Sequence, residues 1–311
     1  SERRARWIDG WLSKTILAGR VDTRDLREAL GRFVFVFGAL SYDKPFLAPL
    51  FAFLSFQKGP GMRRLPLYAL VVMRWLRDRL RVRRTMPVRR RATMERSVLR
   101  VDAKAEGLSV AIGGWAPHHA DDGQFVLAKS PWFSLVLTQE NAPWAFVKGE
   151  PSRTVSTLEL LATTVGLVLL SPSALDGSSS AGLVAVTGMT YSQVSSYVVT
   201  RGLTTSYPLC AVAMELSAQL ESRGAELFLD WIPRDQNREA ADGCSEGFSE
   251  ALRVVTRLED INWLVLPDLL HAGAKFYESM QEQGGRKRKP RSAVAGGAAR
   301  ARKKLKEREP W

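Results

Sequence analysis

The amino-acid sequence predicts an α/β fold: a mixed five-stranded sheet with flanking helices, preceded by a small all-helical domain. Two observations lead to this prediction. Apolar residues recur at helical spacing through residues 1–58. From Ser97 onward the period changes, and the predicted elements then follow the order β-β-β-α-β-α-α-β-α. Three consecutive strands followed by alternating helices and strands indicate a mixed sheet with helices packed on it.

The helical region is predicted from its spacing and its helix ends. Trp7, Ile8 and Trp11 belong to the apolar face of a first helix. The segment 22–25 offers N-cap candidates for a second helix, and Pro45 begins a third, short one. Gly59-Pro60-Gly61 ends it, and a further helix is predicted over 65–82.

The second region is predicted element by element. Strands are expected at 97–101, 108–115, 131–138, 182–186 and 227–232, and helices at 154–170, 195–201, 208–222 and 237–253. The first strand is expected to lie centrally. The chain is accordingly divided into a helical domain (1–60), a helix with an arginine-rich linker (61–96), the sheet domain (97–255), a helical extension (256–283) and a basic tail (284–311).

The positive charge is concentrated in two segments. The formal net charge is +13, and residues 73–97 and 284–311 together carry more than that sum, so the remainder is weakly acidic. Such segments predict a polyanionic partner, nucleic acid above all, and no membrane. The tail segment Arg286–Lys289 fits a nuclear-localisation signal equally well, so an intracellular and nuclear location is one interpretation. The candidate phosphate contacts in the linker are Arg81, Arg83, Arg84, Arg89, Arg90 and Arg91.

Several classes of protein and site are disfavoured by the composition. Two cysteines, Cys210 and Cys244, give neither a disulfide framework nor a metal-binding spacing. The three histidines are too dispersed for a metal cluster. The apolar stretch 34–56 is interrupted by two charges and a proline, which argues against a membrane-spanning helix.

Three acidic residues are the candidate catalytic and metal-binding groups. Asp102 ends the first predicted strand, Glu159 lies one turn into the following helix, and Asp242 opens the last helix. Carboxylates that are far apart in sequence but converge in space are typical of two-metal phosphodiester hydrolysis, with Mg²⁺ or Mn²⁺ as the cation. The alternative interpretation is that they are solvated surface acids, with Asp242 stabilising a helix N-terminus.

The order of elements and the positions of the acids resemble the ribonuclease H fold. Local sequence further resembles the ribonuclease H domain of retroelement reverse transcriptases, and most closely the elements that carry a tyrosine recombinase. Residues 26–54 resemble the thumb and connection region that precedes that domain. The segments that carry the resemblance are Thr204–Leu209, Met214–Leu216, Trp231–Asn237, Leu30–Arg32 and Lys44–Leu47.

The resemblance implies roles for particular residues. Asp102 matches the strand aspartate that contacts both metals, and Glu159 matches the helix glutamate. The third acid of the family falls at Tyr191, whose neutral phenol is a poor Mg²⁺ ligand. The last one falls at Ala241, with Asp242 one residue later and therefore rotated by about 100° on a helix.

Two functions from different classes follow, and a third stays open. The first is impaired ribonuclease H activity on RNA–DNA hybrids through Asp102, Glu159 and Asp242. The second is a non-catalytic nucleic-acid-binding remnant of a reverse transcriptase, with Ser192, Gln193 and Ser196 as further backbone contacts. The third is a protein-docking role for the helical domain. No polymerase activity is expected, because the resemblance does not extend to a polymerase palm.

Overall fold

Helices form the N-terminal part of the chain, as their spacing predicts. The computed structural model describes residues 2–38, 41–82, 93–118, 126, 129–146, 149–171, 184–233, 252–255 and 257–285. The first helices and short strands are α1 (Glu2–Ala18), β1 (Arg20–Asp22), α2 (Thr23–Phe37), α3 (Ala48–Phe56), β2 (Met62–Arg64) and α4 (Leu67–Val82), with a 3-10 helix at Ser41–Leu47. Asp22 caps α2 by accepting a hydrogen bond from the Arg24 backbone N–H.

The remaining elements build the sheet and its helices. They are β3 (Thr93–Glu106), β4 (Ser109–Trp115), β5 (Trp132–Leu137), α5 (Val155–Leu170), β6 (Val184–Thr190), α6 (Gln193–Arg201), α7 (Leu209–Ser222), β7 (Ala225–Trp231) and α8 (Leu266–Gly285), with 3-10 helices at Pro143–Phe146, Pro151–Thr154 and Leu258–Asp260.

The sheet confirms the predicted fold class. Its strand order is β5-β4-β3-β6-β7. β4 runs antiparallel to both β3 and β5, whereas β6 runs parallel to β3 and to β7. The sheet is therefore mixed and five-stranded, with the first of its strands at the centre. This is the ribonuclease H-like arrangement that the sequence predicts.

Two local predictions were wrong. Asp102 does not end a strand, because β3 continues to Glu106 through its antiparallel pairing with β4. The last predicted helix does not extend to Arg253, which instead forms a parallel bridge with Trp132. The rest of that predicted helix, including Asp242 and Ala241, lies outside the described residues, as do Arg83 to Arg91 and the tail with Arg286–Lys289.

Helix α5 is the central core helix of the sheet region. Its residues from Thr157 to Leu167 are all buried. The stretch Pro151–Leu170 is 20 residues long and could cross a membrane by length and composition. Its 18-residue apolar window has a mean hydropathy of 1.4, but 67% of that window is buried inside the protein. That burial is what a core helix shows, and it places Glu159 deep in the structure.

Polar contacts connect the N-terminal helices to the sheet region. Residues 1–276 form one compact unit, and a second unit comprises residues 277–311. Within the first unit, the Tyr42 hydroxyl donates to the carbonyl of Ala225, and Ser217 Oγ donates to the carbonyl of Tyr42. The Tyr68 hydroxyl lies 3.3 Å from Cys210 Sγ. These contacts connect the 3-10 helix at Ser41–Leu47 and helix α4 to helix α7 and strand β7.

Candidate active site

Asp102 lies on β3 just beyond the end of its pairing with β6. The last parallel pair joins Arg100 to Met189, while the antiparallel pairing with β4 continues and places Asp102 opposite Gly113. The carboxylate is 5% exposed, and its Oδ1 accepts a 2.8 Å hydrogen bond from the Ala103 backbone N–H. Beyond Arg100, β3 is therefore paired with β4 alone among the described strands.

Glu159 reaches the same place from helix α5. It is 1% exposed, and its Oε2 accepts a 3.3 Å hydrogen bond from the hydroxyl of Thr190, the last residue of β6. Its Oε1 is buried and has no hydrogen-bond partner among the described residues. A buried carboxylate oxygen without a donor is costly, and a cation or an external donor would satisfy it.

The two carboxylates influence each other. The pKa of Glu159 is raised to about 8, chiefly because burial disfavours the charged form and secondarily because of the negative charge of Asp102. The Tyr191 hydroxyl, the Thr190 hydroxyl and the Ala103 backbone N–H oppose this shift. Of these donors, Thr190 makes the hydrogen bond to Glu159, whereas the Ala103 N–H is directed to Asp102 and the Tyr191 hydroxyl to the Ala103 carbonyl. At neutral pH Glu159 is therefore mostly protonated in the absence of a cation.

Tyr191 completes this cluster. It directly follows β6, and its hydroxyl donates a 3.2 Å hydrogen bond to the carbonyl of Ala103, the residue after Asp102. The Tyr191 carbonyl in turn accepts a 2.8 Å hydrogen bond from Trp231 Nε1, at the end of β7. A phenol thus stands beside the two acids, at the position where the resemblance predicts a third carboxylate.

The donor set fits a hard divalent cation in part. Asp102 and Glu159 supply carboxylate oxygens, which Mg²⁺ and Mn²⁺ prefer, and the orphaned Oε1 of Glu159 is suited to such an ion. Among the described ranges, no group of three or more His, Cys, Asp or Glu side chains comes together. Asp242, the third predicted ligand, falls in the segment 234–250, which lies outside those ranges.

The predicted backbone-contact residues of α6 have different surroundings. Ser192 caps the helix by accepting from the Ser195 backbone N–H, and Ser196 Oγ donates to the carbonyl of Leu229. Gln193 is exposed at the first turn of α6. Gln193 is therefore the member of this set most accessible to a bound strand, while the two serines also hold α6 in place.

Arg81 has an internal partner that its sequence did not reveal. It lies in the last turn of α4, where its Nε donates to Asp9 Oδ1 at 2.7 Å and one terminal nitrogen donates to Ser13 Oγ at 3.0 Å. The hydrogen bond to Asp9 is the main cause that raises the pKa of Arg81. A phosphate contact by Arg81 would have to compete with this ion pair.

Three residues of the site were missed by sequence reasoning. Thr190 orients Glu159, Ala103 binds Tyr191, and Trp231 fixes the Tyr191 backbone. Thr190 could have been found from its position in the sequence, because it immediately precedes Tyr191, where the resemblance implies an acid. Ala103 acts through its backbone carbonyl, and the indole N–H of Trp231 reaches Tyr191 because of the register between β6 and β7. Residue type alone therefore gave no signal for either.

Comparisons with known proteins reveal structural likenesses at low sequence identity. No family model matches this chain, and no curated protein matches it. The N-terminal ribonuclease H domain of a Mycobacterium tuberculosis protein, determined as a fusion with maltose-binding protein, is 15% identical over 58% of this chain and 98% of that chain, with a TM-score of 0.27. Ribonuclease H1 from the halophilic archaeon Halobacterium salinarum is 17% identical over 47% of this chain and 98% of that chain, with a TM-score of 0.26.

A viral protein gives a likeness of the same kind. The foamy viral protease-reverse transcriptase, solved in complex with an RNA/DNA hybrid, is 14% identical over 71% of this chain and 27% of that chain, with a TM-score of 0.22. At TM-scores this low, these likenesses establish neither the fold nor the function of this chain. The ribonuclease H-like fold of this chain is established by its own strand order, strand directions and central β3.

Proposed function

We propose that this chain is a retroelement-derived ribonuclease H-like domain that binds RNA–DNA hybrids and hydrolyses the RNA strand with impaired efficiency. The origin proposed is a reverse transcriptase of the tyrosine-recombinase type of element. One observation supports the proposal above the others. Asp102 and Glu159 converge beside Tyr191, which stands where the resemblance implies a further acid.

The roles of the side chains follow from their surroundings. Asp102 keeps one oxygen engaged by the Ala103 backbone N–H, which fixes the direction of its carboxylate. Thr190 holds one oxygen of Glu159 and leaves the other available. Mg²⁺ or Mn²⁺ held by Asp102 and Glu159, with Asp242 as the proposed further ligand, would supply Lewis-acid stabilisation of charge on the phosphate.

Tyr191 explains the proposed impairment. An aspartate at this position would add a full negative charge facing the cations, whereas a phenol with an ordinary pKa near 10 adds none at neutral pH. Its hydroxyl is moreover directed to a backbone carbonyl. Weaker cation binding and poorer positioning of the scissile phosphate follow, and the Ala241 replacement proposed from the resemblance would act in the same direction.

The second candidate is binding without hydrolysis. Tyr191 favours it, because a phenol directed to the Ala103 carbonyl adds no negative charge for a divalent cation at neutral pH. In this case the sheet and the basic segments would hold a hybrid through its phosphates and its A-like minor groove. Affinity would then depend steeply on salt and not on a divalent cation.

Cleavage of a labelled RNA–DNA hybrid separates the two candidates. The purified chain is assayed in Mg²⁺ and separately in Mn²⁺, beside Asp102→Asn and the control Glu140→Gln, which alters an exposed acid in the turn after β5. Cleavage that is lost in Asp102→Asn and retained in Glu140→Gln supports the enzyme. Salt-sensitive binding without cleavage by any of the three proteins supports the binding module. A chain that neither cleaves nor binds hybrid contradicts both.

A further inference from the structure

The short two-stranded sheet formed by β1 and β2 concentrates arginines on one surface. β1 runs antiparallel to β2, with Arg20 opposite Arg64 and Val21 opposite Arg63. Arg20 and Arg64 are both exposed, whereas Val21 is buried beneath the ribbon. Backbone hydrogen bonds from Leu65 to Gly19 and from Thr23 to Gly61 extend the pairing at both ends. The arginines are therefore presented by a fixed backbone.

The positive charges of this ribbon are not neutralised internally. Neither Arg20 nor Arg64 makes a side-chain hydrogen bond or ion pair within the part of the chain that the structure describes, and Arg63 donates to the carbonyl of Lys58 at 3.4 Å. The one acid of the two strands, Asp22, uses an oxygen to cap α2. Like charges directly opposite each other on an antiparallel pair are destabilising. An external anion would remove that repulsion.

The shape of the surface suits an extended anion. Arg20, Arg63 and Arg64 line an open depression of about 420 Å³ together with Ala18, Gly19 and Met62. Arginine presents a planar fork of donors that matches the oxygens of a phosphodiester, and an exposed apolar side chain such as Met62 can contact sugar or base surface. None of the described residues that line this depression has a carboxylate that would repel such a ligand.

We propose that the β1–β2 ribbon is a second nucleic-acid contact, in which Arg20 and Arg64 bind the phosphodiester backbone. This contact is separate from the Asp102–Glu159 site and rests on the proposed function, since it lengthens the stretch of hybrid that the chain holds. It needs no divalent cation, because the arginines neutralise the phosphates directly.

The test is the salt dependence of hybrid binding, measured in EDTA so that no strand is cleaved. The variant Arg20→Gln/Arg64→Gln should lower the slope of log affinity against log salt by about 2, because each phosphate contact contributes about 0.9. The matched control Arg27→Gln/Lys275→Gln removes two exposed charges that lie elsewhere and should keep the parent slope. Because the variant removes two charges that repel each other, its melting temperature should equal or exceed that of the parent chain. A measured melting temperature therefore distinguishes a folded variant from one that has lost its structure.

The outcomes distinguish this inference from the function on which it rests. A lower slope in the ribbon variant alone supports the second contact. An unchanged slope, or the same decrease in both double variants, overturns it while hybrid binding by the parent chain stands. Absence of hybrid binding by the parent chain overturns the proposed function and this inference together.

Discussion

The phenolic hydroxyl of Tyr191 donates a hydrogen bond to the backbone carbonyl of Ala103, so the residue after β6 is tied to the residue that follows Asp102. A carboxylate at position 191 could not make this bond, because an ionised carboxylate only accepts. It would instead turn its charge toward the acids and any cation between them. The hydrogen bond is therefore the structural correlate of the proposed loss of catalytic efficiency.

Replacing Tyr191 by aspartate should increase cleavage. We expect Tyr191→Asp to raise Mg²⁺-dependent hydrolysis of RNA–DNA hybrid about tenfold or more, equivalent to about 1.4 kcal/mol of barrier, because a third carboxylate strengthens cation binding. Tyr191→Phe is the matched control, since it removes the same hydroxyl without adding charge. Equal rates in the two variants, with both folded by circular dichroism, would contradict the assigned role.

Glu159 should make the unfolding free energy fall as the pH rises. Its pKa is about 8 in the folded chain against an ordinary value of 4.5. Below the ordinary value both states are protonated, and its stabilising contribution is fully present. Between the two values the folded state holds one proton more, so stability falls by up to about 1.4 kcal/mol per pH unit until the folded pKa is passed.

The comparison of Glu159 with Glu159→Gln measures this effect. Urea unfolding in EDTA between pH 5 and 8 should show a stability difference that shifts steadily in favour of the glutamine variant, which has no proton to lose. The total change should be of the order of a few kcal/mol. Parallel pH profiles for the two proteins would show that Glu159 titrates normally.

Glu215 should be important for stability without taking part in the site. Its buried carboxylate accepts hydrogen bonds from three consecutive backbone N–H groups at the start of α8, those of Leu264, Val265 and Leu266, at 2.7–3.0 Å. Glu215→Ala leaves those donors unpaired, which should cost about 2–4 kcal/mol of unfolding free energy. Chemical denaturation measures this loss of unfolding free energy. Glu215→Gln keeps a hydrogen-bond acceptor and should therefore reduce the unfolding free energy by less. A loss below about 1 kcal/mol in the alanine variant would argue against this role.

Arg79 should stabilise the junction between the N-terminal helices and α7. Its guanidinium pairs with Asp43 at 2.6 Å and with Glu221, and all three side chains are largely buried. Arg79→Ala removes a guanidinium that faces two buried carboxylates, and the expected loss is about 3–5 kcal/mol. Arg32→Ala serves as control, because its ion pair with Glu28 is exposed and should contribute less than about 1 kcal/mol. Equal melting temperatures for the two variants would contradict the prediction.

The elements with long periodic patterns were predictable from the sequence. Helix α4 begins two residues after its predicted start, and α7 differs from its prediction by one residue, because each buries a continuous apolar face. Strand β3 is much longer than predicted, since pairing with β4 carries it through Lys104 and Glu106, where residue type gives no strand signal. The strands β1 and β2 were missed because three residues are too few to show a period.

Of the residues in the candidate site, only the acids Asp102 and Glu159 could be predicted from the sequence. The fold brings the strand that carries Asp102 and the helix that carries Glu159 together, so their proximity could be anticipated; their role as metal ligands stays a prediction. The contacts of Ala103, Thr190 and Trp231 depend on where β6 stops relative to β3 and β7. Strand register of this kind is set by the packing of the whole sheet, so no local sequence pattern predicts it.

The hydrogen bonds at Tyr42 have a practical consequence for anyone who isolates the sheet region. Tyr42 binds Ala225 through its side chain and Ser217 through its backbone, and Tyr68 packs beside Cys210. A fragment trimmed to begin at Thr93 would uncover this polar and apolar seam on α7 and β7, and we expect it to precipitate on expression. The stretch that should be produced as a soluble reagent therefore keeps the N-terminal helices with the sheet region and does not cut α8, which ends at Gly285.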